Sequence, residues 1–365
     1  MATSSDFTLC AAWQSVRKHA SLDHIFGIYP STPHIRYMMK YNLCGRSGVR
    51  IPALSLGLWH NFGSVDSYDT ARDMLLAAFD AGICHFDLAN NYGPEPGSAE
   101  ENFGRILRTD LAAHRDEMFI STKAGHAMWP GVYGDGSSRK NLIASCDQSL
   151  RRMGLEYVDV FYSHRYDGVT PIEETMQALV DIVRSGKALY VGISKYPVHL
   201  QQQCYDYLQS QGVPCLLSQY PANMFKRGAI ADGPESNLSV AAENGSGFIC
   251  FSPLAQGLLT TKYFNGIPAD SRAARATGYL QERQVTPERV EAARQLQVIA
   301  AARGQTLPQM ALAWLLHDKR VTSVIIGTSS VAQLKDNLHA LEGLEFSEVE
   351  LQCIDSILSV EGLAM

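Results

Sequence analysis

The chain has 365 residues, 46% of them hydrophobic and 19% charged, with a formal net charge of −6. That balance excludes a disordered or fibrous chain, and the acidic charge gives no general attraction to nucleic acid or to an anionic membrane. The length accommodates one large α/β domain or two smaller ones.

Residues 1–36 are weakly patterned and read as an N-terminal extension ahead of a single domain over 37–365. A β-hairpin follows, with strands at 39–43 and 49–54 around a Gly-containing turn. A hairpin in this place suits the plug of a barrel end. Strand-like apolar runs then alternate with helical stretches. Residues 54–58 precede a helix over 67–81, where Ala71, Met74, Leu75, Ala78 and Phe79 recur at helical spacing. Residues 83–89 precede a helix to Leu107, where Ser98 and Glu101 read as a capping box. Residues 118–122 end at Lys123 and a Gly- and aromatic-rich loop, 124–138. A helix with Ile143, Cys146, Leu150 and Met153 on one face comes next. The strand 157–162 ends at Ser163-His164-Arg165, and Thr170-Pro171-Ile172-Glu173 reads as a capped helix start.

The second half repeats the alternation. Strands at 188–193, 215–218 and 247–251 end at Ser194-Lys195, Gln219 and Ser252-Pro253. Helices are expected at 198–209, near 237–244, from Thr286-Pro287 to about Arg303, and from Thr306 onward. A last strand, 321–326, runs into Gly327-Thr328-Ser329, and Ser330 and Gln333 cap a final helix. Eight strand–helix units imply a parallel sheet with crossover helices, and in one chain they favour a closed (β/α)8 TIM barrel with the hairpin at its bottom. A doubly wound sheet is the alternative, but no turn carries its G-x-G-x-x-G phosphate cradle.

The eight cysteines (Cys10, Cys44, Cys84, Cys146, Cys204, Cys215, Cys250 and Cys353) include no CxxC pair. They read as reduced residues of a cytoplasmic protein, and no metal centre is expected. No apolar run approaches the ~20 residues of a membrane span. The N-terminus lacks the pattern of a secretory signal.

Active sites of such barrels lie at the carboxyl ends of the strands. Those ends supply Asp87, Lys123, His164, Ser194, Gln219, Ser252 and Ser329, with Tyr92 just past the second strand. An ordinary phenol, with a pKa near ~10, is a weak acid. A neighbouring ammonium favours its ionised form, and a carboxylate holds that ammonium in place. A histidine can hydrogen-bond a carbonyl oxygen. Such a set can protonate a carbonyl as a hydride reaches its carbon. Taken singly, Asp87 also reads as a turn former, Tyr92 as a packing residue, Lys123 as a surface lysine and His164 as a structural histidine. Their coincidence at strand ends outweighs the separate readings.

These residues carry a resemblance. The sequence resembles the aldo-keto reductases, and within them the branch of L-glyceraldehyde-3-phosphate reductase and the potassium-channel β subunits. The matching stretches are LSLGLWHNFG at 54–63, HFDLANNYGPEPGSAEENFGRILR at 85–108, STKAGHAMWPG at 121–131 and RRMGLEYVDVFYSHR at 151–165. GKALYVGIS at 186–194, SPLAQGLLTTKYFNGIPADSR at 252–272 and IIGTSS at 325–330 continue it. The resemblance implies an NADPH/NADP+ cofactor and a catalytic tetrad of Asp87, Tyr92, Lys123 and His164, with Tyr92 as the acid. It implies cofactor contacts from Trp59, Ser194, Lys195, Gln219, Phe251, Ser252, Pro253, Leu254, Gln256, Gly257, Lys262, Arg272, Gly327, Ser329, Gln333 and Asn337. Gln333 also reads as the capping partner of Ser330. Trp59, His60, Tyr92, Met128, Trp129, His164 and Arg165 are expected to form the substrate pocket, and Arg165 with the local lysines to favour an anionic substrate.

The implied activity is reduction of small aldehydes or ketones, of the L-glyceraldehyde 3-phosphate or methylglyoxal type, by a homo-oligomer. No nucleic-acid or membrane partner is implied. The alternative is an NADP(H)-bound regulatory subunit like the channel β subunits, but those carry asparagine where His164 stands. Two positions depart from the family pattern. Lys195 stands where many members have asparagine or serine, and Ala222 replaces an aromatic residue while Tyr220 appears two places earlier.

Overall fold

Turn residues and the alternation of apolar runs position every element around one closed sheet. The computed structural model describes residues 39–365 apart from positions 232, 270, 272 and 275–279. The expected extension over residues 1–36 and the expected cofactor residue Arg272 lie outside the described residues.

The hairpin pairs β1 (Tyr41–Leu43) with β2 (Arg50–Pro52) in antiparallel register, Leu43 opposite Arg50. Gly45 makes its turn possible. Its φ of +55° lies in the left-handed region, and a Cβ there would collide with the carbonyl oxygen of Gly245. The hairpin is bonded to the starts of the barrel strands. Tyr41 Oη donates to Gly82 O at 2.8 Å, Asn42 Nδ2 to Thr322 O at 2.9 Å, and Arg46 N to Gly245 O at 3.0 Å. It therefore closes the end of the barrel opposite the strand carboxyl ends, as expected.

The barrel runs β3 (Leu54–Gly57), β4 (His85–Asp87), β5 (Phe119–Ala124), β6 (Val158–Ser163), β7 (Ala188–Ser194), β8 (Cys215–Pro221), β9 (Gly247–Phe251) and β10 (Val321–Ile326). All neighbours are parallel, and β10 pairs with β3, with Ile326 opposite Leu56, so the sheet closes. Strands buried on both faces read as continuous apolar runs. β5 and β6 are buried at every position. The run 83–89 yields only His85–Asp87 as strand, because Ile83 N donates to Ala78 O at 2.9 Å and belongs to the preceding helix exit.

Helices cover the outside: α1 (Tyr68–Asp80), α2 (Ser98–Asp110), α3 (Arg139–Met153), α4 (Ile172–Arg184), α5 (Val198–Ser210), α6 (Asn237–Glu243), α7 (Pro287–Ala302), α8 (Leu307–His317), α9 (Val331–Leu338) and α10 (Glu348–Leu358). Thr306 and Gln309 form a true capping box at α8, and Pro sits in the first turn of α7 and α8. α8 is apolar nearly all round because it packs against β10 on one side and α7 on the other. Each Leu-sized side chain buried this way contributes about 1.5–3 kcal/mol. No helix among the described residues is long and apolar enough to cross a membrane.

Two expected caps are not formed. The N-cap of α2 is Gly97, at φ 96°, and Ser98 Oγ instead donates to Glu95 O at 2.7 Å. The left-handed turn has already spent the cap position on a glycine. At α4, Pro171 is the N-cap, and Thr170 Oγ1 donates to Asp167 Oδ2 at 2.7 Å. Asp167, which also accepts from the Ser137 and Thr170 amides, organises that loop in its place.

Candidate active site

The end of β4 delivers Asp87 into the barrel mouth, and β5 beside it delivers Lys123. Both are fully or almost fully buried, at 2% and 0% exposure. Lys123 Nζ donates to Asp87 Oδ2 and to Leu88 O, each at 2.6 Å, and lies 3.4 Å from Tyr92 Oη. Asp87 Oδ1 accepts from Ser121 Oγ at 2.8 Å and from Gln219 Nε2 at 2.9 Å. The carboxylate is thus fixed by three side-chain donors from β5 and β8. Burial pushes the Lys123 ammonium below the usual lysine range, and Asp87 pulls it part of the way back.

Behind this pair sits a polar chain. His85 Nδ1 is 2.8 Å from Ser55 Oγ, and its Nε2 is 3.0 Å from Ser121 Oγ. Burial holds this imidazole down at about 4, so it is a neutral strut at ordinary pH. It fixes Ser121, and Ser121 fixes Asp87.

His164 follows β6, its amide donating to Ala124 O at 2.8 Å. Its ring meets Tyr92 edge-on with centroids 5.9 Å apart. Burial, then the charges of Lys195 and Lys123, hold it well below the ordinary histidine range. It is therefore a neutral imidazole with one N–H to donate, and its buried Nδ1 has no partner among the described residues. The four residues expected as a tetrad converge.

A cleft of about 580 Å³ opens beside them. Its lining takes in Trp59, His60, Asp87 and Tyr92, the loop after β9 (Phe251, Ser252, Pro253, Leu254, Gln256, Gly257 and Lys262), and the end of β10 with α9 (Gly327, Ser329, Gln333 and Asn337). Trp59 lies 6.1 Å from Tyr92, ring to ring. Three non-glycine residues of the β9 loop stand at positive φ: Ser252 at 56°, Ala255 at 46° and Gln256 at 58°. Such backbone concentrates where a loop is shaped around a ligand. Asn223 Nδ2 holds the loop by donating to Ser252 O at 3.0 Å. Gln333 does not close a capping box with Ser330. Its Oε1 accepts from the amide and the hydroxyl of Ser329, at 2.9 and 3.0 Å.

Some expected residues lie apart from the cleft lining. Ser194 sits at the end of β7 opposite Gln219, its Oγ buried without a partner among the described residues. Trp129, Met128 and Arg165 are on the loops after β5 and β6 and do not line the cleft. Arg165 Nε donates to Gly125 O and Nη2 to Asp135, both at 2.8 Å, so its charge already has a carboxylate. Tyr220 is no pocket wall. Alternation along β8 turns Gln219 inward to Asp87 and Tyr220 outward, where it stacks on Phe248 at 5.5 Å. Asn61, Asn223 and His126 escaped the sequence reading. Asn61 carries the one usable signal, an asparagine-glycine-rich turn after a strand; it lines the cleft at φ 70° with Nδ2 donating to Thr328 O at 2.7 Å.

Comparison with known proteins agrees with this geometry. Residues 53–359 match the family model described as "Aldo/keto reductase family". The chain is 54% identical over 331 residues to the L-glyceraldehyde 3-phosphate reductase of Escherichia coli (strain K12), covering 90% of this chain and 95% of that protein. It is 35% identical over 329 residues to a probable voltage-gated potassium channel subunit beta of Oryza sativa subsp. japonica, covering 88% of this chain and 96% of that one.

Proposed function

The chain belongs to the aldo/keto reductase family, and on that premise we propose that it is an NADPH-dependent reductase of small aldehydes with Tyr92 as general acid. The observation that carries this reading is the buried Asp87–Lys123 pair with the Lys123 ammonium 3.4 Å from the Tyr92 oxygen. A positive charge there stabilises negative charge on the phenol oxygen, so the proton leaves more readily. Asp87 holds that charge in place. His164, neutral, donates its N–H to the carbonyl oxygen and orients it. Trp59 and His60 supply apolar wall.

The residues present fit a nicotinamide dinucleotide. Ser194 Oγ and Asn337 Nδ2 are buried polar atoms without partners among the described residues, as groups waiting for a ligand are. Phe251 offers an aromatic face, the strained loop 252–257 offers backbone amides, and Lys262 offers a cation. When bound, the cofactor supplies the hydride. We further infer a cytoplasmic homo-oligomer acting on small aldehydes of the L-glyceraldehyde 3-phosphate or methylglyoxal type, the first of which appears in the name of the bacterial relative. The alternative of a cofactor-bound regulatory subunit draws on the likeness to the channel subunit. His164, placed to orient a substrate, argues for the enzyme.

The test is turnover of an aldehyde panel with NADPH and with NADH, on the wild type and on Tyr92→Phe. The reading expects wild-type turnover favouring NADPH. It expects Tyr92→Phe to lose about 10²–10⁴-fold in kcat, the usual worth of a general acid, with NADPH affinity retained. Full activity in that variant would remove Tyr92 as the acid, and tight NADPH binding without turnover would favour the regulatory subunit.

A further inference from the structure

One cation at the barrel mouth has no carboxylate to answer it. Lys195 follows β7 directly and is half-buried. Among the described residues its Nζ has one polar neighbour, His126 Nε2 at 2.7 Å, and no ion pair. Its backbone stands at φ 58°, a costly conformation for a residue with a Cβ, pinned by its amide donating to Gln219 O at 3.3 Å. The fold thus holds this side chain at one place. His126 packs edge-on to His164 with centroids 4.4 Å apart, and His164 in turn meets Tyr92. The chain of contacts runs from the proposed acid to Lys195 across two imidazoles.

The other cations near His164 are different, Lys123 being paired with Asp87. Arg165 is neutralised by Asp135 and tied to Gly125 O. With the local lysines it was the sequence's candidate for an anion partner, and the structure gives it Asp135 as a carboxylate within the protein. Among the described residues Lys195 is left without a counter-ion. A half-desolvated ammonium with no counter-ion is unfavourable until an anion arrives.

We propose that Lys195, positioned by His126, recognises the anionic group of the substrate, so that the enzyme acts on short-chain aldehydes bearing a phosphate or a carboxylate. The proposal rests on the reductase reading above. An extended three-carbon phosphoaldehyde separates carbonyl carbon and phosphorus by roughly 5 Å at ordinary bond lengths, a reach of the same order as the 4.4 Å between the His164 and His126 rings, with Lys195 next to His126. The electrostatics agree. Burial pushes Lys195 down to about 8, with Lys123 and Arg165 acting in the same direction. Burial and then Lys195 hold His126 at about 4, so it is a neutral acceptor for the ammonium. An anion bound at Lys195 raises its affinity for the proton, so anion binding weakens as pH rises past about 8. The groups facing Lys195 are Lys123 on β5, His126 and Asp135 in the loop after it, and His164 and Arg165 after β6. Any effect of these on the chemistry is shared by a neutral aldehyde, so a ratio isolates Lys195.

The experiment measures kcat/KM with NADPH for L-glyceraldehyde 3-phosphate, 4-oxobutanoate and L-glyceraldehyde on the wild type, Lys195→Met and Lys195→Arg. The expected result is a fall of at least about 10-fold in the anionic-to-neutral ratio in Lys195→Met, the worth of one charge-assisted hydrogen bond. Lys195→Arg should restore much of it, and the wild-type ratio should fall between pH 7 and 9. A loss with the phosphate alone, or with 4-oxobutanoate alone, assigns the anion class. A ratio unchanged within about twofold in Lys195→Met, set against that expected tenfold, overturns the proposal. If the wild type turns over no aldehyde, the reductase reading fails. Calorimetric titration of the full-length protein plus NADP+ with glycerol 3-phosphate then decides separately. Binding lost in Lys195→Met supports the anion site, while equal binding by both proteins, or none by the wild type, overturns it.

Discussion

Asp87→Asn tests the buried pair on which the site is built. Lys123 is 0% exposed and its strongest partner is Asp87 Oδ2 at 2.6 Å. Removing one member of a buried ion pair costs about 3–5 kcal/mol. The cost has a ceiling, because the lysine can deprotonate instead. Bringing an amine of ordinary pKa near 10.4 to its neutral form at pH 7 costs about 4.6 kcal/mol. The single asparagine oxygen can accept either from Ser121 and Gln219 or from Lys123, so its amide nitrogen meets a donor in either orientation. The expected loss is therefore about 3–5 kcal/mol at pH 7. The sign of its pH dependence follows from the same state. In the variant the folded protein holds Lys123 neutral while the unfolded chain binds the proton, so the variant gains stability as pH rises. Its deficit relative to the wild type should narrow from pH 7 to 9, by at most about 1.4 kcal/mol per unit. Urea unfolding followed by circular dichroism reads both quantities. A deficit under about 1 kcal/mol at pH 7, far below the usual cost of splitting a buried pair, would refute the reasoning. So would one that does not change with pH.

Three further outcomes are expected. Ser194→Ala and Asn337→Ala should each weaken NADPH binding about 10-fold, the worth of one buried hydrogen bond, in fluorescence titration, and unchanged affinity would place the cofactor elsewhere. Gly45→Ala should destabilise the fold by at least about 1–3 kcal/mol, from its left-handed backbone and the Gly245 carbonyl, seen as a lowered urea midpoint with the active-site residues intact. His164→Asn should lower kcat/KM by about 10²-fold, at the lower end for a positioned proton-bonding group, while NADPH affinity stays within the wild-type range.

Much of this was legible in the sequence because it depends on local period and on strand direction. Parallel strands share one carboxyl end, so Asp87, Lys123 and His164 meet once the strands are counted. Thr306 and Gln309 cap α8 through a three-residue spacing visible in the chain. What escaped depends on partners far apart. Gln219 reaches Asp87 across 132 positions, and His126 reaches Lys195 across 69. Arg165 looked available until Asp135, in another loop, took its charge. The outward turn of Tyr220 depends on where β8 begins its alternation. At α2 the spacing of Ser98 and Glu101 was right for a cap, but Gly97 took that position because the turn from Glu95 needs a left-handed residue there.

The central claim is that hydride passes directly to a carbonyl carbon while Tyr92 protonates its oxygen. It is tested most directly by incubating the protein with L-glyceraldehyde 3-phosphate and NADPH deuterated at the reactive nicotinamide position, and reading the alcohol by NMR. The account predicts one deuterium on the former carbonyl carbon with the wild type and almost none with Tyr92→Phe at equal cofactor occupancy. Deuterium retained on the cofactor with every aldehyde offered, or label transfer undiminished in Tyr92→Phe, would contradict it.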